Sequence, residues 1–101
     1  MVQVVWEFTV RVDAIREFEV AYGADGHWAE LFKGFPGYRG TALLRDQTTS
    51  TRYLTVDSWE TLEHRDAMLA GGREAYDRLD QSCSGLTVSE LEVGVFEVLP
   101  A

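Results

Sequence analysis

Cysteine, histidine, asparagine and long apolar runs are scarce or missing in this chain of 101 residues. Cys83 is the only cysteine, so no disulfide can form within the chain. Its neighbours offer no CxxC or Cys/His spacing for a metal, and we expect a half-buried structural thiol. The two histidines, His27 and His64, lie on separate segments. We therefore expect no bound metal, haem or other cofactor.

No apolar run approaches the roughly 18 residues of a membrane span. The N-terminal MVQVVWEFTV also lacks the basic start and the cleavage site of a signal peptide, so a cytoplasmic location is expected. Positive charge is scarce as well, because 9 Lys and Arg face 17 Asp and Glu, which gives a net charge of -8. Such a chain repels nucleic acids and anionic membranes, and we expect neither as a partner.

The residues that are abundant indicate a folded domain. Hydrophobic residues make up 46 % of the chain and aromatic residues 12 %, which is enough for a packed interior. The length suits one domain, residues 1–101, and leaves little room for a second core.

Apolar periodicity predicts the secondary structure. Residues 2–12 alternate as a strand, residues 13–23 carry helical spacing after a possible cap at Asp13, and residues 28–34 form a short helical piece. Two further strands, starting near residue 38 and at residues 51–59, are joined by the polar loop QTTST as a hairpin.

The second half of the chain completes the pattern. From Ser58, a plausible cap, a helix runs to AGG at residues 70–72, resumes, and is followed by a strand at residues 89–99. The order β-α-β-β-α-β predicts a ferredoxin-like α+β fold, in which a four-stranded antiparallel sheet carries two helices on one face.

The hairpin predicts which side chains share a face, if Asp46 pairs with Arg52. The even-numbered apolar residues are then expected under the helices: Gly40, Ala42, Leu44, Leu54 and Val56. The odd-numbered residues are expected on the opposite face: Arg39, Thr41, Leu43, Arg45, Tyr53, Thr55, Asp57 and Trp59. This mixed set suits a half-wet cavity between two sheets of a homodimer, or a dimer interface without a pocket.

Several segments resemble the antibiotic biosynthesis monooxygenase superfamily, the dimeric ferredoxin-like α+β barrels. They include YGADGHWAELF, PGYRGTALLRD and RYLTVDSWE, and the likeness spans nearly the whole chain. The resemblance implies a homodimer with one pocket per subunit, between sheet and helices. It also implies cofactor-independent oxidation of a small hydroxylated aromatic molecule, quinol-like or polyketide-like.

The chain departs from the residue patterns of the family's studied branches. It contains no asparagine, Trp59 stands at the entry of the second long helix, and His64 lies early in that helix. Haem binding or degradation is therefore a minor alternative. A non-catalytic ligand-binding or accessory protein of the same fold is the main alternative.

Oxygenation without a cofactor needs a base, donors that hold the resulting anion, and a dry pocket. The predicted catalytic residues are Glu7, Asp57 and His64, and His27 is a weaker candidate base. The predicted substrate-binding residues are Trp28, Arg39, Thr41, Arg52, Tyr53, Trp59 and Tyr76. A carboxylate in such a cavity would need a partner, and Arg39 or Arg45 is expected to supply it.

Overall fold

The computed structural model describes residues 1–101 and shows a single antiparallel sheet with helices on one side. The strands lie in the order β2-β3-β1-β4. The elements are β1 (Val2–Val10), α1 (Ile15–Tyr22), α2 (His27–Lys33), β2 (Tyr38–Arg45), β3 (Arg52–Trp59), α3 (Leu62–Gly71), α4 (Arg73–Cys83), a 3-10 turn (Ser84–Leu86) and β4 (Thr87–Glu97). The predicted ferredoxin-like α+β fold is confirmed. No helix combines the length and the apolar character that crossing a membrane requires.

The predicted break in the second long helix is present, between α3 and α4. Gly72 stands at the break, and a Cβ atom there would lie 2.7 Å from the ring of Phe35. The Phe35 ring occupies the space that a side chain at position 72 would need, so the break requires glycine for packing as well.

Both predicted helix caps are wrong. The strand β3 continues through Ser58 to Trp59, and the cap of α3 is Thr61, whose hydroxyl accepts a hydrogen bond from the backbone N–H of His64. Asp13 instead binds the side chain of Arg11, and α1 begins without a side-chain cap.

The hairpin pairs from Gly40 to Asp46 were predicted correctly, but the two faces of the sheet were assigned the wrong way round. Thr41 lies opposite Asp57 and Arg45 opposite Tyr53, as predicted. However, Tyr53 and Trp59 are each only 1 % exposed and belong to the core under the helices. Their large rings bury more apolar surface there than the even-numbered aliphatic residues of the hairpin would.

The pairing of Arg39 with Trp59 was also wrong. Trp59 pairs with Tyr38 and Ser58 with Gly40, which leaves Arg39 in a bulge. Gly40 has φ +120°, a conformation that side chains rarely adopt. The bulge turns Arg39 outward, where its guanidinium binds Glu60 at 3.4 Å.

The sheet face that carries no helices is partly apolar. Leu44, Leu91 and Phe96 are 48 %, 62 % and 48 % exposed. Leu91 lies opposite Glu7, and Phe96 lies opposite Gln3, so both side chains share the open face of the central strand. Apolar surface of this kind marks an interaction site.

We expect the open face to pair with a second copy of the chain, so that light scattering returns twice the 11.4 kDa chain mass at low micromolar concentration. Leu91→Lys should shift the protein toward the monomer, because a lysine would then be buried without a partner. Leu62→Lys, at a similarly apolar and exposed position on α3, is the control and should leave the mass unchanged. A monomeric wild type would contradict the expectation.

Candidate functional site

Asp57 lies on the helix side of the sheet, at the centre of a short chain of hydrogen bonds. Thr41 Oγ1 donates to Asp57 Oδ1 at 2.6 Å. The Tyr38 hydroxyl lies 2.5 Å from the same Thr41 oxygen. Because Thr41 gives its only proton to the carboxylate, Tyr38 is the donor in that second bond. The register of β2 and β3, which places Thr41 opposite Asp57, builds this arrangement.

Asp57 has no ion-pair partner. Arg39 and Arg45, the predicted partners, bind Glu60 at 3.4 Å and Glu19 at 3.6 Å instead. Burial raises the pKa of Asp57 to about 6, although the Thr41 hydrogen bond and the charge of Arg65 act in the opposite direction. The carboxyl group therefore titrates near the pH at which a general base is most useful.

Asp57 faces a cavity of about 60 Å³ between the sheet and the helices, which we call the middle cavity. Its walls are mostly aromatic, from Trp6, Phe8, Tyr22, Trp28, Phe32 and Tyr76. Its polar groups belong to Thr41, Thr55, Asp57, Asp80 and Glu90. A few polar groups among aromatic rings are typical of a small-molecule site.

Two further cavities adjoin the middle cavity. The first, of about 210 Å³, also contacts Asp57 and Tyr76 and is lined by Arg65, so we call it the Arg65 cavity. The second, of about 330 Å³, shares Asp80 and Glu90 with the middle cavity and reaches Cys83. We call it the Cys83 cavity. A ligand larger than the middle cavity could therefore extend to either side of Asp57.

Trp28 and Tyr76 bring hydrogen-bond donors to the middle cavity. Their rings meet edge to face at 4.8 Å. The indole Nε1 of Trp28 is buried and lacks a well-formed hydrogen bond, although the Tyr22 hydroxyl is near enough for the indole to lower the pKa of Tyr22. Burial is also the main cause that raises the pKa of Tyr76, so its phenol stays protonated at neutral pH. Both groups can donate to an oxygen atom of a bound molecule.

Arg65 is a site residue that the sequence reasoning missed. Its side chain is 18 % exposed, lines the Arg65 cavity, and binds Glu92 at 3.2 Å. Its positive charge lowers the pKa values of both Asp57 and Tyr76. Arg65 stands three residues before the buried Met68, and this helical spacing could have placed it on the inner face of α3.

The structure brings four of the predicted site residues together around the middle cavity: Trp28, Thr41, Asp57 and Tyr76. Trp59 lines the adjoining Arg65 cavity, where its ring packs against Phe32 at 5.6 Å. These side chains share the helix side of the sheet, so the cavity lies between the sheet and the helices, where the family resemblance places it. The cavity between two sheets, which the hairpin faces predicted, is wrong for these residues.

Five other predicted site residues lie elsewhere. Glu7 and Arg52 bind each other at 3.1 Å on the open face. The hydroxyl of Tyr53, whose ring is buried, donates to the partly exposed Glu19 at 2.5 Å, and Arg39 lies in the bulge. None of these residues lines the three cavities, and His64 does not line them either.

His64 contacts the helix cap and a turn at the start of α3. Its Nδ1 lies 2.7 Å from the Thr61 hydroxyl. Its ring packs on Gly37, where φ is +88° and a Cβ atom would lie 2.3 Å from the ring. No group of three or more His, Cys, Asp or Glu side chains is arranged to hold a metal ion.

Solved structures of other proteins share this fold. A single-site variant of SnoaB, a cofactor-independent oxygenase from Streptomyces nogalater, is 23 % identical with a TM-score of 0.82, over 99 % of this chain and 94 % of that one. A candidate antibiotic biosynthesis monooxygenase from Deinococcus radiodurans is 14 % identical with a TM-score of 0.76, over 100 % and 95 %.

A variant of MhuD with two manganese protoporphyrin IX molecules bound per active site is 25 % identical, with a TM-score of 0.75 over 100 % of this chain and 97 % of that one. No family model and no curated protein matches the sequence. The likeness to the antibiotic biosynthesis monooxygenases that the sequence suggested is thus confirmed in the fold.

The buried carboxyl group predicts a pH-dependent stability. Because the folded-state pKa of Asp57 lies above its ordinary value of 3.8, the folded protein binds more protons near pH 5 than the unfolded chain does. The contribution of Asp57 to the free energy of unfolding should therefore fall by about 3 kcal/mol as the pH rises from about 3 to about 8. Asp57→Asn should remove this fall, as urea unfolding at several pH values would show.

Asp46→Asn is the control, because the contribution of Asp46 to the free energy of unfolding should rise with pH. Hydrogen bonds from Thr48 and Arg52 hold the pKa of Asp46 below its ordinary value. Its removal should destabilise the protein at neutral pH and matter less in acid. If the free energy of unfolding changed with pH in the same way for wild type and Asp57→Asn, the pKa of Asp57 would not be raised by folding.

Proposed function

We propose that the chain is a cofactor-independent oxygenase that oxidises a small hydroxylated aromatic molecule, with Asp57 as the base. The observation that carries the proposal is a carboxylate without an ion-pair partner in a cavity of aromatic rings. The likeness to SnoaB, a cofactor-independent oxygenase, supports the reaction class. The proposed active unit is a homodimer joined by the open sheet faces.

Asp57 is suited to take a proton from the substrate. Its pKa of about 6 leaves it ionised at neutral pH, yet closer to the pKa of a phenol than an exposed aspartate is. The hydrogen bond from Thr41 fixes the orientation of the carboxylate. The second carboxylate oxygen is left for the substrate, since the one recorded bond is made by Oδ1.

The anion that remains needs donors, and the cavities supply three. The Trp28 indole N–H and the Tyr76 hydroxyl border the middle cavity, and the Arg65 guanidinium borders the adjoining one. Fixed donors in a site shielded from water stabilise developing negative charge without reorganisation. Aromatic walls exclude water that would otherwise solvate the anion and slow its reaction with oxygen.

The reaction balances without an added reductant. In a substrate whose ring carries a CH₂ group opposite a carbonyl, loss of a proton to Asp57 gives an electron-rich anion. Electron transfer to O₂ and recombination form a carbon–oxygen bond, and the resulting hydroperoxide takes back the proton. Loss of water then leaves a second carbonyl, so that one oxygen atom enters the product and the other leaves as water.

A second candidate is a ligand-binding or accessory protein without catalysis. The small size of the middle cavity, about 60 Å³, favours it, because the cavity must join its neighbours to hold a polycyclic molecule. A haem-type ligand is not proposed, because neither histidine lines any of the three cavities.

Oxygen consumption with a panel of hydroquinones, hydroxynaphthalenes and anthrones tests the proposal. We expect turnover without added metal or flavin, with kcat/KM rising through an apparent pKa of about 6 as Asp57 ionises. Asp57→Asn should reduce kcat by roughly 100-fold or more, since a general base contributes that much. Asp25→Asn, the same change at a carboxylate that is 97 % exposed and lines none of the cavities, is the matched control and should retain activity.

Binding of these compounds without oxygen uptake would support the accessory-protein candidate. Turnover that Asp57→Asn leaves intact would show that another group is the base.

A further inference from the structure

Three carboxylates line the middle cavity, and none of them forms an ion pair. They belong to Asp57 on β3, which is half-buried, and to Asp80 on α4 and Glu90 on β4, which are also exposed to solvent. Eight of the nine Lys and Arg side chains form ion pairs, all with other acidic residues. Negative charge at this cavity is therefore not offset by a direct partner within the protein.

Asp80 and Glu90 are close enough to influence each other and the aromatic groups beside them. Burial and the charge of Asp80 raise the pKa of Glu90. The charge of Asp80 also contributes to the raised pKa of Tyr76. Both carboxylates border the middle cavity and the Cys83 cavity, so a molecule that spans the two cavities can contact both of them.

Aromatic rings complete the surroundings of these carboxylates. The ring centroids of Tyr22 and Trp28 are 6.0 Å apart, and those of Trp28 and Tyr76 are 4.8 Å apart. All three rings line the middle cavity. The faces of such rings attract organic cations, and a nearby carboxylate adds its own Coulomb attraction. A protonated amine or quaternary ammonium group is the chemistry that fits both the rings and the charges.

An independent observation indicates what else a ligand must carry. Trp28 is 7 % exposed and lines the middle cavity, and its indole N–H lacks a well-formed hydrogen bond, with the Tyr22 hydroxyl as the neighbour it acts on. A buried donor without an acceptor is costly, and an oxygen atom of a bound molecule would satisfy it. A ligand that suits the cavity therefore combines an oxygen acceptor with a positive charge.

We infer that the substrate is a hydroxylated aromatic molecule that bears a cationic amine, with Asp80 and Glu90 facing the cation and Trp28 donating to a ring oxygen. The inference rests on the proposed function and names the substrate class of that same site. It also resolves an electrostatic difficulty of the proposed reaction. A phenolate beside the carboxylates of Asp80 and Glu90 is disfavoured, and a cation on the substrate offsets that repulsion.

Binding of three matched naphthols tests the inference: one with a trimethylammoniomethyl, one with a hydroxymethyl and one with a carboxylate substituent. Calorimetry under anaerobic conditions keeps the measurement independent of turnover. We expect the cationic probe to bind on the order of tenfold more tightly than the neutral one, and the anionic probe to bind most weakly.

The variants Asp80→Asn and Glu90→Gln should each reduce this preference, and the double variant should abolish it. Glu97→Gln is the matched control, because Glu97 is a carboxylate of β4 without an ion pair that lines none of the cavities. Trp28→Phe should weaken the binding of all three probes alike, since it removes a donor and leaves the charges in place.

Equal affinity for the three probes, or a cation preference that survives in the double variant, would overturn the inference. The outcome is separable from the proposed function. Cation-selective binding without oxygen uptake contradicts only the oxygenase, whereas oxygen uptake without cation selectivity contradicts only the substrate class.

Discussion

The cross-strand pair of Phe8 and Tyr53 decides which side chains of the sheet lie under the helices. Side chains of a strand alternate between the two faces, so burying these rings against Phe18 also commits Thr55, Asp57 and Trp59 to the helix side. The core needs the aromatic rings of β3, and the alternation carries Asp57 inward with them. The candidate base is thus held in place by the packing of its strand neighbours.

Burying Asp57 has a cost that the surrounding residues offset only in part. Thr41 donates one hydrogen bond, and Arg65 contributes a favourable charge while it is itself bound to Glu92. A salt bridge would stabilise the carboxylate more and would also lower its basicity. Perturbed carboxylates of this kind concentrate at functional sites, where an incompletely compensated group retains its reactivity.

The order of the elements, the hairpin pairs and the break at Gly72 could be predicted from the sequence, because local periodicity and turn residues determine them. The face assignment could not be predicted from the hairpin alone, since Leu54 and Val56 make the even-numbered face apolar too. The non-local pairing with β1 resolves this ambiguity. The hairpin register places Thr41 opposite Asp57 correctly, but a register alone does not say which face of the sheet carries the helices. Arg65 was not predicted, because a charged residue on a helix is usually exposed to solvent.

The protonation of Asp57 is measured directly by ¹³C NMR of the aspartate carboxyl carbons, with Asp57→Asn providing the assignment. We expect the resonance absent from the variant to titrate with a pKa of about 6. A pKa near the ordinary aspartate value of 3.8 would contradict this expectation, because such a carboxylate is solvated or paired and not poised to act as a base.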